Sequence, residues 1–131
     1  MLKPLSPPGI HPPFSNYNHG LEVPAGARLV FCSGQVGISA DKVIPEDCAS
    51  QANLCFDSIA AILGEAGMTL ADVVRINAFV TGREHLRPYM DVRNQRFPAP
   101  YPTSTLMIVS GFARPEFVVE IEVIAAKEST P

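Results

Sequence analysis

The chain has 131 residues, of which 47% are hydrophobic and 18% charged, a composition that fits one globular domain with its own core and excludes a disordered or fibrous chain. The formal net charge is −3 and the ten basic residues are scattered, so the chain offers no attractive field for a phosphate backbone. No apolar run approaches the roughly 20 residues of a bilayer span, and Met1-Leu2-Lys3-Pro4 opens a proline-rich stretch rather than a secretion signal, which predicts a cytoplasmic protein with no membrane partner.

Residues 1–13 read as a proline-rich arm, because five prolines and no hydrophobic period fall between Leu2 and Pro13. Residues 14–127 read as the single domain and 128–131 as a tail. Leu29 to Phe31 begins a β-rich run that Ser33-Gly34-Gln35-Val36-Gly37 breaks, predicting two short strands around a glycine kink. Pro45, Glu46 and Asp47 suit the start of a helix, since negative charge there complements the helix dipole. Ala52, Phe56, Ile59, Leu63 and Ala66 then recur at spacings of three and four, and Gly67 is placed to end the helix.

After a turn at Thr69 to Asp72, Val73 to Thr81 is predicted as a strand with Val74, Ile76, Ala78 and Val80 on one face. A second helix is expected over about Glu84 to Phe97, buried through Leu86, Met90 and Phe97. Pro98, Pro100 and Pro102 stop it, and strands follow at Thr103 to Val109 and Phe117 to Ile124. The natural architecture is α+β, a mixed sheet with both helices on one face. That leaves the second face bare, while the strand at Thr103 to Val109 is apolar on both sides, so a homo-oligomer is expected to cover it.

Cys32, Cys48 and Cys55 cannot all pair with one another, and no Cys-x-x-Cys or Cys/His spacing accompanies them. Reduced thiols and no metal are the expectation. His11, His19 and His85 have no triad spacing, Ser33 is not in a nucleophile elbow, and Gly34-x-x-Gly37 matches neither dinucleotide nor nucleotide fingerprint. The chemistry-bearing feature is the last strand. There Phe117, Val119, Ile121 and Val123 alternate with Glu120 and Glu122. A half-buried strand commonly turns such carboxylates to water. At a subunit cleft, partial desolvation would instead suit one of them to acid or base work.

Four segments in this order and spacing, Asn16-Tyr17-Asn18-His19-Gly20, Ser33-Gly34-Gln35-Val36-Gly37, Gly67-Met68-Thr69-Leu70-Ala71-Asp72-Val73-Val74 and Val119-Glu120-Ile121-Glu122-Val123-Ile124-Ala125, resemble the RidA/YjgF superfamily, also called endoribonuclease L-PSP-like. The resemblance runs from about Asn16 to Ala126. It implies a chorismate-mutase-like fold, a homotrimer with clefts between subunits, no cofactor, and hydrolysis of enamine or imine metabolites to a keto compound and ammonia.

By the same resemblance, Glu120 is the carboxylate that handles water, and Tyr17 and Gly34 line the cleft. Ser104 stands where the family carries its substrate-clamping arginine, so the chain resembles a branch without that residue. A serine hydroxyl does not replace two charge-assisted bonds from a guanidinium. Arg75, Arg93 and Arg114 are the arginines that a different element or subunit would have to supply instead. The first reading is therefore a small-molecule protein acting on imines between Tyr17, Ser104 and Glu120. A non-catalytic metabolite-binding trimer is the alternative, and an endoribonuclease is disfavoured by the acidic balance.

Overall fold

A computed structural model describes residues 2–129. The last residues of the expected tail, Thr130 and Pro131, lie outside the described residues. Six strands and two helices run in the order β1 (Lys3–Leu5), β2 (Gly20–Glu22), β3 (Arg28–Val36), α1 (Cys48–Gly64), β4 (Val73–Val80), α2 (Leu86–Arg96), β5 (Thr103–Ile108) and β6 (Val119–Lys127). The proline-rich arm is extended, as its composition requires, but it also folds back, so that β1 pairs antiparallel with β2. That pairing leaves no trace in the hydrophobic pattern.

The main sheet is mixed, in the order β3-β6-β4-β5, with β4 and β5 parallel and the other pairs antiparallel. β3 is one strand rather than two. The Ser33-Gly34 pair is absorbed as a bulge between Cys32 and Gln35, and β6 lies alongside on both sides of it. β6 starts at Val119 and continues to Lys127 because Arg28, Leu29 and Val30 offer it partners as far as its end. Ahead of it, the Val118 N–H goes to a side chain instead of a strand.

α1 begins where the Asp47 carboxylate accepts the N–H of Ser50 at 2.9 Å. Its stripe of Ala52, Phe56, Ile59 and Leu63 is fully buried, and each large apolar side chain there contributes about 1.5–3 kcal/mol. Gly67 has φ of +72°, the left-handed conformation that lets the Met68 N–H reach back to the Leu63 carbonyl at 3.0 Å. Gln51 is the one amide inside this core face. Its Nε2 donates to the carbonyls of Pro45 at 2.7 Å and Glu116 at 2.9 Å, and its Oε1 accepts from the Val118 N–H at 3.0 Å. The start of α1 is thereby fastened to the chain entering β6.

α2 keeps its expected face only in part: Phe97, just past its end, is in the core and Leu86 and Met90 pack against it, but other residues are buried more deeply. A single 3-10 turn at Arg83–His85 precedes it, and Tyr89, Val92 and Arg93 are its buried residues, while Leu86 and Met90 are only half-buried. Tyr89 and Arg93 are four apart and share the stripe that meets the core. In β4, a bulge between Val73 and Arg75 places Val73 in the core cluster in place of Val74, ahead of Ile76, Ala78 and Val80. Both helices contribute to this cluster together with one face of the sheet, the arrangement expected from the element order. The other face carries exposed Leu29, Phe31 and Met107.

Candidate functional site

Val119, Ile121 and Val123 of β6 are buried under the helices, so Glu120 and Glu122 project from the opposite face. Glu120 sits between Val36 of β3 and Phe79 of β4. Its carboxyl group folds over the β3 bulge. A Cβ placed on Gly34 would lie 2.9 Å from the Glu120 Cδ, 3.1 Å from Cγ, and nearer still to Oε2. Gly34 has no left-handed φ, so close approach is what requires glycine there. Among the described residues the Glu120 carboxylate has no hydrogen-bond donor and no ion-pair partner.

Its neighbours on the same face are polar. Glu122 accepts from Asn77 Nδ2 at 3.4 Å, and the Arg75 Nη2 donates to the Thr105 Oγ1 at 2.6 Å. These residues form a short ladder across β6, β4 and β5, edged by Phe31, Leu29 and Met107. Arg75 therefore shares the sheet face of both carboxylates.

The other sequence-derived candidates sit elsewhere in the chain. Tyr17 belongs to a segment pinned at the start of β5, where Asn18 donates through its backbone N–H to the Pro102 carbonyl at 3.0 Å and through Nδ2 to the Tyr101 carbonyl at 2.6 Å. The Tyr17 hydroxyl accepts the Phe14 N–H at 3.2 Å. Thr103 pairs with Arg75, whereas Glu120 pairs with Phe79. This attachment is therefore roughly 13 Å along the strands and roughly 10 Å across them from Glu120. Within this chain Tyr17 is not brought to Glu120.

Ser104 does not share the Glu120 face of its own chain either. In the parallel β4/β5 pair Ser104 lies beside Ile76, and so turns toward the helices, while Thr105 is the residue that faces outward. Strand alternation alone decides this. The Ser104 Oγ and the Tyr89 hydroxyl on α2 are buried side by side, and neither has another hydrogen-bond partner among the described residues. Burial is the main cause pushing the Tyr89 pKa up; the Arg93 guanidinium and the nearby Ser104 hydroxyl pull the other way.

Arg93 is itself buried, and donates to Ser15 Oγ at 2.8 Å and to Asn94 Oδ1. Arg114 is exposed in a turn, paired with Glu116 at 2.8 Å and lying over the Phe117 ring. Of the three arginines, only Arg75 is on the carboxylate face. The Tyr89, Ser104 and Arg93 cluster was not legible in the sequence, because it depends on which way β5 faces.

The three cysteines are buried and free. Burial first, then the neighbouring Cys48 and Glu120, pushes the Cys55 thiol up to about 12. Burial and then Asp47 raise Cys48 to about 11. Neither is a nucleophile at neutral pH. A cavity of about 570 Å³ opens between the end of α1 and the 97–102 segment, lined by Met68, Leu70, Val73, Phe97 and Pro100 among others. Its one titratable lining residue, Arg96, is committed to Asn53 and Asp57. No helix among the described residues is long and apolar enough to cross a membrane.

A family model described as Endoribonuclease L-PSP matches residues 10–127. RutC family protein YjgH of Escherichia coli K12 is 36% identical over 121 residues, covering 91% of this chain and 90% of that protein. A 2-iminobutanoate/2-iminopropanoate deaminase of Dermatophagoides farinae is 26% identical over 127 residues, covering 95% and 93% respectively. Among solved structures, a Rid-family protein from Yersinia pestis, YyfB, superposes with a TM-score of 0.83 at 25% identity, covering 96% of this chain and 98% of its own.

Proposed function

Because the chain belongs to the endoribonuclease L-PSP family, the group its sequence resembles under the RidA/YjgF names, we propose that it is a homotrimer acting hydrolytically on imine or enamine metabolites, with Glu120 as the residue that handles water. The observation carrying this reading is the Glu120 carboxylate, set over Gly34 on a partly apolar face with no donor or cation of its own among the described residues. Such a carboxylate is free to take a proton from water attacking a C=N carbon and to return it to nitrogen. The carbinolamine then expels ammonia and leaves a C=O group. Imine plus water balances to carbonyl plus ammonia, with no oxidant or cofactor.

The distance between the Tyr17 segment and Glu120 supports a cleft shared by two subunits, with Gly34 and Glu120 from one and Tyr17 from its neighbour. The exposed Leu29, Phe31 and Met107 supply the apolar area that would be covered on assembly. Ser104 in place of an arginine clamp favours a substrate gripped otherwise than by a guanidinium at that position. It also favours the second reading, a trimer that binds a metabolite without turning it over.

Ammonia release from freshly generated 2-iminoacids tests the first reading. The wild-type chain is expected to exceed the buffer rate, and Glu120→Gln to lower kcat by roughly 100-fold or more. No rate above buffer across a broad panel removes it, and a compound that raises the melting temperature without being consumed then favours the second. An RNA titration without salt-dependent affinity disposes of the ribonuclease activity carried in the family description.

A further inference from the structure

We propose that Arg93, Tyr89 and Ser104 form a carboxylate-binding site beneath β5, on the sheet face opposite Glu120, with Ser15 as its cover. Tyr89 and Arg93 are four residues apart on α2, and the guanidinium carbon lies 6.0 Å from the centre of the Tyr89 ring. Arg93 is 3% exposed, yet among the described residues its partners are all neutral: Ser15 Oγ on Nη2, and Asn94 Oδ1 shared by Nε and Nη2. A buried cation surrounded only by neutral acceptors lacks the counter-charge that usually justifies its burial.

Two hydroxyls lie beside each other nearby. The Tyr89 hydroxyl and the Ser104 Oγ are both buried, and apart from each other neither has a hydrogen-bond partner among the described residues. Burial holds Tyr89 in its protonated, donating form. A guanidinium edge and two hydroxyls together match the acceptor oxygens of a carboxylate, which takes paired N–H donors and leaves lone pairs for the hydroxyls. An amide or a neutral carbonyl would satisfy the hydroxyls and leave the charge uncompensated.

Ser15 holds the Nη2 position through one 2.8 Å hydrogen bond. It belongs to the segment that carries Tyr17 and exposed Phe14. An entering carboxylate oxygen takes the place of the Ser15 hydroxyl on Nη2. The site stands whether or not the chain hydrolyses imines, because no atom of Glu120 or Gly34 takes part.

Thermal unfolding of the full chain in sodium acetate or sodium pyruvate, against sodium chloride at the same ionic strength, tests the assignment. The carboxylates are expected to raise the midpoint saturably and chloride is not. The Tyr89→Phe/Ser104→Ala double variant removes both hydroxyls together and leaves no buried polar atom orphaned, so it should fold, and should bind about tenfold or more weakly. Arg93→Lys retains charge without the fork and should weaken binding as well. If that variant does not fold, the double variant decides. Equal stabilisation by chloride, no saturable rise, or an unchanged response in the double variant overturns the proposal.

Discussion

Glu120 occupies the volume that a side chain at residue 34 would need: a Cβ on Gly34 would stand 2.9 Å from its Cδ. Gly34→Ala therefore tests the carboxylate's position rather than the fold. The atoms displaced are the far end of a flexible side chain, and the Gly34 backbone is not left-handed. The melting temperature should fall little, by the equivalent of about 1 kcal/mol or less. If the chain hydrolyses imines, kcat should fall by roughly 100-fold, the usual cost of about 1 Å of misplacement at a reacting centre. A kcat equal to wild type would mean that the Glu120 position over Gly34 is irrelevant to turnover.

Gly37 behaves differently, because what it meets is the backbone and the rigid base of the Gln51 side chain. A Cβ there would lie 2.6 Å from the Gln51 Cα and closer to its Cβ, so Gly37→Ala must push α1 away from β3. The expected loss is about 1–3 kcal/mol or more. Gln51→Leu should cost a comparable amount, since it leaves the carbonyls of Pro45 and Glu116 and the N–H of Val118 without the partner they share. Urea unfolding of the two variants measures both, and a midpoint within error of wild type would contradict the packing described.

The cysteines predict a stability profile on the alkaline side. The folded Cys55 thiol is raised from an ordinary value of 9.0 to about 12, so the folded chain keeps a proton that the unfolded chain loses. Stability is full below about pH 9 and declines as pH rises toward 12, by about 1.4 kcal/mol per pH unit for this group. Ellman's reagent at pH 8 should accordingly leave Cys48 and Cys55 unmodified until denaturant is added. Rapid labelling of either in the native chain would contradict their burial.

Phe31 and Leu29 stand 68% and 51% exposed beside Ile124 and Ala126 respectively on the bare sheet face. Phe31→Glu places a charge where the proposed trimer interface would be dry. Sedimentation should show wild type as a trimer and the variant as monomer, because one buried Phe contributes about 1.5–3 kcal/mol at each contact. An identical oligomer in both would exclude this face from the interface.

Much of the fold was legible in the residues themselves. The stripe Ala52, Phe56, Ile59 and Leu63 and the alternation Val119, Ile121 and Val123 are local periodicities, and the structure buries them as their spacing requires. Gly67 was legible as a stop for the same reason, since only a left-handed residue lets Met68 reach Leu63. The buried face of α2 was legible only in Leu86, Met90 and Phe97, because Tyr89 and Arg93 bury long amphipathic side chains that any pattern of apolar residues passes over.

The site divides along the same line. Sequence alone determined that Glu120 and Glu122 share a face opposite an apolar one, because alternation along a strand is a property of the backbone. It also determined, through the order of its motifs, the family to which the chain belongs. Only the tertiary structure decided that Gly34 lies beneath Glu120, that Ser104 turns to the helix side beside Tyr89 and Arg93, and that Tyr17 is fixed at the other end of β5. Those relations depend on strand register and on bulges at residues 33–34 and 74. Pairing partners far apart in the chain set them, and no local window of residues contains them.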